Sequence, residues 1–167
     1  TYTGFIVDEA DDNHPTSTDG DNEIIVSCGG GAVGENLFRT ALEACINGCQ
    51  VDRTWRFLTG GNMDAAVSRD LANQAPEHAI IEPARPDFPV LLKRAALSVS
   101  QAGYNTIMDL LVARCTAVVV PFATGGETEQ TVRAEKFAAR GALTHLPEHE
   151  LTAVTLHTTI DRVLAPS

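Results

Sequence analysis

The chain has little of what several function classes require. No apolar run is long enough to cross a bilayer, and no stretch has the order of a secretory signal. Basic residues are scarce: 12 Lys and Arg face 22 Asp and Glu, for a formal net charge of −10. Binding to nucleic acid or an anionic membrane through a basic surface is therefore not expected. Cysteine is limited to Cys28, Cys45, Cys49 and Cys115. Cys45 and Cys49 sit four apart on an expected helix, a spacing that disfavours a disulfide. The other two complete no zinc pattern. All four read as small buried hydrophobes of a reducing compartment, so the expected location is cytoplasmic. No Asp-x-Asp or His cluster suggests an obligatory metal site, and no cofactor is expected.

The acidity is uneven. Seven acids and no base fall within residues 1–23; the other fifteen acids are set against all 12 bases. Residues 9–22 are polar, with almost nothing to bury, so 1–22 is expected to be an acidic loop or inter-domain linker. Residues 23–167 form the expected domain, a size that supports one core.

From Glu23 on, apolar strands alternate with amphipathic helices. Strands are expected at Glu23–Ser27, Thr54–Leu58, Ala79–Glu82, Leu97–Val99, Thr116–Val120 and Leu143–Leu146. Helices are expected near 34–47, 63–73, 88–94, 105–113, 127–139 and 148–164. In the first helix, Leu37, Ala41, Leu42, Cys45, Ile46 and Cys49 form the expected apolar stripe, with Gly48 as C-cap. Strands apolar on both faces imply a parallel sheet covered on both sides. The fold class is thus α/β: a doubly wound, Rossmann-like parallel sheet of about six strands with helices on both faces.

Such sheets bind ligands at the carboxyl ends of their strands. This chain places Gly29-Gly30-Gly31, Gly60-Gly61, Ala102-Gly103 and Gly125-Gly126 there, where a phosphate can approach the backbone. The first loop has no Lys, which argues strongly against a P-loop. Gly29 to Gly34 fits Gly-x-Gly-x-x-Gly, but the second strand ends without the acid a dinucleotide ribose needs, which weakens NAD. The stretch Leu97–Asp109 reads as strand, glycine turn and helix start. Its leading N–H groups and helix dipole favour an anion, and Asp109, one turn in, suits a sugar's vicinal hydroxyls. An ordinary strand–helix turn, with Asp109 as dipole partner, has the same local sequence.

Ser100 to Asp109, Val118-Val-Val-Pro-Phe122, Glu129-Gln130, Arg133-Ala134, Phe137 and Gly141-Ala142 follow one another in an order that resembles GT-B glycosyltransferases. The likeness is to their carboxyl-terminal, donor-binding domain, and within them to glycosyltransferase family 28, the family of the lipid II-forming N-acetylglucosaminyltransferases. It spans about residues 23–146. The resemblance implies that Gly29, Gly30 and Gly31 face the diphosphate, as do Gly103, Tyr104, Asn105 and Thr106 at the helix start. It implies that Ala84 and Arg85 read the uracil through backbone groups, that Ala102 belongs to the nucleoside site, and that Asp109 takes the ribose hydroxyls. Thr124, Gly125, Gly126, Glu129 and Gln130 are implied at the donor sugar. Three departures stand out: Asp109 is one methylene shorter than the family's glutamate, Glu129 replaces an amide, and the loop over 123–128 is one residue longer.

The implied activity is transfer of a hexosyl, chiefly N-acetylglucosaminyl, group from a UDP-sugar to an acceptor hydroxyl. The acceptor site and general base are implied in an amino-terminal domain or separate subunit. The chain alone is expected to bind donor without transferring it. A nucleotide-sugar hydrolase or epimerase of the same fold, or a non-catalytic binding subunit, remains open. His145 and His149 read as surface or cap residues, Trp55 as core or rim, and Arg133 and Lys136 as solvent-facing, with Arg133 within reach of phosphate.

Overall fold

A computed structural model describes residues 18–29, 34–123 and 128–166. Six strands form one sheet: β1 (Ile24–Ser27), β2 (Trp55–Thr59), β3 (Ala79–Pro83), β4 (Leu97–Ser100), β5 (Ala117–Val119) and β6 (Thr144–His145). The helices between and after them are α1 (Glu35–Ile46), α2 (Ala65–Gln74), α3 (Phe88–Arg94), α4 (Tyr104–Ala113), α5 (Glu129–Ala138) and α6 (Ala153–Leu164). The strand order is β3-β2-β1-β4-β5-β6, and every pairing is parallel. The chain turns left from β1 to β2 and later returns to β4 on the other side. This reversal opens a crevice beyond the carboxyl ends of β1 and β4.

Alternation along the strands divides the core in two. Ile24, Val26, Trp55, Phe57, Leu97 and Val99 are buried and pack with residues of α1, α2 and α6. The opposite face carries Ile25 and Leu58 against Leu91 of α3, and Ala117 and Val119 against Ile107 and Leu110 of α4. Trp55 is core, not rim: it is fully buried and its indole N–H donates to the Cys49 carbonyl at 3.2 Å. Polar residues also lie on the second face. Ser98 and Ser100 are fully buried, and Arg56 is 4% exposed.

Three expectations are corrected. The stretch near 148–164 is not one helix: a short 3-10 turn at Glu148–Glu150 is separated from α6 by Thr152 in an extended conformation. Thr152 and Thr155 each accept from the other's backbone N–H, a reciprocal cap that fixes the start of α6 at Ala153. The stripe of α1 also differs. Ile46 is 50% exposed while Phe38 and Ala44 are buried. Ile46 stands about 100° round from Cys45, off the covered face. Asn47 is the cap, with Gly48 following it at φ +93°.

The described end of the expected linker, residues 18–22, is tied into the domain. Asn22 N–H donates to the Arg94 carbonyl at 3.1 Å, and a Cβ at Gly20 would lie 3.1 Å from Leu91 backbone atoms. Asp19 pairs with Arg85 at 2.7 Å and with Arg56 at 3.3 Å. These contacts outweigh the polar composition from which a free loop was expected. Residues 1–17 lie outside the described residues.

Candidate functional site

The site begins with the end of β4. Its strand residues are buried, and the chain then turns through Gly103 into α4. The N-cap of α4 is Gly103, which has no side chain to offer, so among the described residues no cap bond occupies the amide groups of its first turn. Thr106 lies at the centre of this corner. A Cβ at Gly103 would stand 3.7 Å from Thr106 Oγ1, and one at Gly29 would stand 3.9 Å from it. The β1 turn and the α4 turn therefore meet around one hydroxyl.

An open cleft of about 270 Å³ lies against this corner. Ser27 and Gly29 line it from the end of β1, and Leu58, Gly60 and Gly61 from the end of β2. Ala84, Arg85 and Phe88 close it from the β3–α3 connection, and Asn105, Thr106 and Asp109 from α4. Five implied residues besides Gly29 are thus brought together: Ala84, Arg85, Asn105, Thr106 and Asp109. Ala102, Gly103 and Tyr104 do not line the cleft but shape its edge. Ala102 is fully buried, and its carbonyl accepts from Arg133 at 2.8 Å. The Arg133 guanidinium also lies 5.6 Å from the centre of the Tyr104 ring. Arg133 is thus a brace for the turn before α4, not a solvent-facing side chain. Gly30, Gly31, Thr124, Gly125 and Gly126 lie outside the described residues.

The charge of the cleft is specific. Arg85 reaches it, but its guanidinium is held by Asp87 at 2.7 Å, Asp19 at 2.7 Å and Glu82 at 3.4 Å. Its pKa is raised by the hydrogen bonds to Asp87 and then Asp19. Its positive charge is balanced locally, so attraction for an anion falls to the backbone and the α4 dipole. Asp109 is half-buried, and loss of water pushes its carboxyl above the ordinary aspartate range. A carboxylate that has shed water gains from polar hydroxyls brought by a ligand. The Ala84 N–H is already donated to the Thr59 carbonyl at 2.9 Å. A base at this end would meet other backbone groups of Ala84 and Arg85.

Glu129 is exposed on the first turn of α5. Gln130 Oε1 accepts from Phe122 N–H at 3.1 Å. Glu148 Oε2 accepts from Ala123 N–H at 2.8 Å. Gln130 and Glu148 hold the backbone leading into the 124–127 segment.

Sequence reasoning missed Ser27, Leu58 and Phe88. Ser27 Oγ is buried and has no hydrogen-bond partner among the described residues. Its place as the last residue of β1, two after Ile25, is the signal that could have found it. Gly34, the last glycine of the Gly-x-Gly-x-x-Gly stretch, also has a physical reason. A Cβ at Gly34 would overlap Cys28 Sγ and Cβ, so β1 and α1 approach too closely for a side chain. Gly34→Ala is expected to cost about 1–3 kcal/mol by overpacking, read as a lower urea midpoint.

The family model described as glycosyltransferase family 28 C-terminal domain matches residues 24–167. A UDP-N-acetylglucosamine–N-acetylmuramyl-(pentapeptide) pyrophosphoryl-undecaprenol N-acetylglucosamine transferase of Synechococcus sp. (strain CC9605) is 33% identical over 150 residues. That match covers 87% of this chain and 39% of the relative. A transferase of the same name from Synechococcus sp. (strain WH7803) is 32% identical over 152 residues, covering 88% of this chain and 40% of its own length. The chain thus spans about two fifths of these relatives. Among solved structures, Acinetobacter baumannii MurG superimposes with a TM-score of 0.68 at 22% identity, over 86% of this chain and 41% of that one. The spinosyn rhamnosyltransferase SpnG complexed with thymidine diphosphate gives 0.68 at 18% identity, over 88% and 38%. These structural likenesses show the fold: a Rossmann-like domain of the GT-B type.

Proposed function

This chain belongs to glycosyltransferase family 28, matching its C-terminal domain over residues 24–167, and from that premise we propose that it binds a UDP-sugar for transfer to an acceptor hydroxyl. The observation that carries the reading is the cleft: Asp109 and the uncapped start of α4 form one wall, beside the glycine turns of β1 and β2. Asp109 accepts the ribose hydroxyls. The α4 amides, Thr106 and Gly29 hold the diphosphate, and Ala84 and Arg85 flank the base. Glu129 and Gln130 orient the sugar.

In the reaction the acceptor oxygen attacks the anomeric carbon while the bond to the diphosphate oxygen breaks. Negative charge gathers on the departing nucleoside diphosphate. The fixed α4 amides and dipole stabilise it without reorganising. We assign the acceptor site and general base to an amino-terminal domain or a partner subunit, because the chain spans about two fifths of its relatives. The relatives' names make N-acetylglucosamine the first sugar to test. No metal is assigned to this step. The four thiols are unpaired and buried, which suits a cytoplasmic setting.

The test is calorimetric titration of the chain with UDP, UDP-N-acetylglucosamine, dTDP-glucose, GDP-mannose and NAD, with and without Mg²⁺. Saturable binding of the uridine nucleotides, unchanged by Mg²⁺, is the expected result. Binding of NAD alone overturns the proposal. Transfer by the isolated chain would refute the assignment of the general base elsewhere.

A further inference from the structure

At the opposite end of the sheet from the cleft, before β1 and β2, a second depression of about 430 Å³ lies beside the turn after α1. His157 and Asp161 line it, and the buried Cys49 meets them. One ligand atom from each, a sulfur, an imidazole nitrogen and a carboxylate oxygen, lies within 4.8 Å of the others. His157 and Asp161 stand four apart on α6, so both project from one helix face. His157 Nε2 lies 3.2 Å from Asp161 Oδ2. The second carboxylate oxygen, Oδ1, accepts from Gln50 Nε2 at 2.7 Å, which fixes the direction of the group. Gln50 itself adopts φ +48°, a left-handed conformation uncommon for a side-chain-bearing residue, directly after Cys49. Its Oε1 accepts from Arg53 Nε at 3.0 Å.

We propose that Cys49, His157 and Asp161 bind a zinc-class divalent cation, with water as fourth ligand. The donor set combines thiolate, imidazole and carboxylate, the chemistry that selects zinc over calcium or magnesium. A tetrahedral zinc site needs donor separations of about 3.3–3.8 Å. His157 Nε2 and Asp161 Oδ2 are already close to this separation at 3.2 Å, and their side chains, 34% and 51% exposed, can adjust toward an ion. Gln50 serves as the outer partner that orients the carboxylate. On binding, the Cys49 thiol gives its proton to solvent and its sulfur forms the bond to the metal. The charged neighbours at the depression are Asp52 and Arg53, of opposite sign. The ion would clasp α6 to the end of α1. It lies far from the nucleotide cleft, so its effect is on stability and not on donor binding.

The test is titration of the metal-free, reduced chain with Co²⁺, followed by displacement with Zn²⁺. The expected result is one equivalent of tetrahedral cobalt with a thiolate-to-metal band in the near ultraviolet, lost on adding Zn²⁺. Zn²⁺ should also raise Tm. His157→Ala and Asp161→Asn change surface-reaching side chains and keep the fold. Each should weaken Zn²⁺ binding by at least about tenfold, the size seen even for outer partners. Cys49→Ser should remove the near-ultraviolet band. A cobalt spectrum without that band in the unsubstituted chain, or Zn²⁺ affinity unchanged in His157→Ala, overturns the proposal.

Discussion

Asp109→Ala is expected to weaken UDP binding about a hundredfold while leaving the domain folded. In the proposed site two ribose hydroxyls would donate to one carboxylate, and hydrogen bonds to a charged group are each worth about 1.5–3 kcal/mol. A combined loss near 3 kcal/mol, allowing for non-additivity, is about two decades in Kd. Asp109→Glu keeps the carboxylate on a side chain one methylene longer and should retain binding. Asp109→Asn keeps shape but lacks the charge and should fall between.

The pH dependence follows from burial. Loss of water raises the Asp109 pKa in the free protein. Hydroxyls donated by ribose favour the ionised form and lower it in the complex. Affinity is therefore full above the raised pKa and declines as pH falls through it; in Asp109→Asn this decline should vanish. Stability has the opposite sign. The folded-state pKa lies above the unfolded one, so ionised Asp109 disfavours folding, and stability gains as pH drops through that window. Asp109→Asn should accordingly not lower Tm. A variant that lost binding and Tm together would mark Asp109 as structural.

The second large effect is at Arg56. Arg56→Ala is expected to cost about 3–5 kcal/mol, measured by urea unfolding. The guanidinium is buried on β2 and grips Glu23 with two bonds, 2.7 Å and 2.9 Å, and Glu82 at 2.6 Å. Its pKa is raised chiefly by the hydrogen bonds to Glu23, against the pull of desolvation. Removing it leaves Glu23, itself 6% exposed, as a buried anion without its partner. Arg56→Met with Glu23→Gln removes both charges and should recover much of the loss, because the penalty belongs to the unpaired ion. Equal destabilisation by the single and double variants would sink this account.

Arg56 also shows where sequence reasoning stops. The strand Trp55-Arg-Phe-Leu-Thr59 is recognisable by its apolar residues, but nothing local says that its Arg is buried. Its partners come from residues 19, 23 and 82, which only the pairing of β1, β2 and β3 brings together. The same holds for Arg133, whose helical position gave no sign that it reaches the Ala102 carbonyl. Ser27 is legible only in part: its strand-end position is local, but only the packed structure leaves its hydroxyl without a partner among the described residues.

The sequence by itself determined the alternation of six strands and their helices, and the glycine turns at the carboxyl ends of the first strands. It also set the place of Asp109 one turn into α4. These features are local: hydrophobic period, glycine and helix-start chemistry act over a few residues. The tertiary structure alone decided the anchoring of residues 18–22, the Arg56 cluster, and the meeting of Cys49 with His157 and Asp161. Each depends on groups far apart in the chain, and their approach is set by strand order and helix packing, which no local pattern encodes.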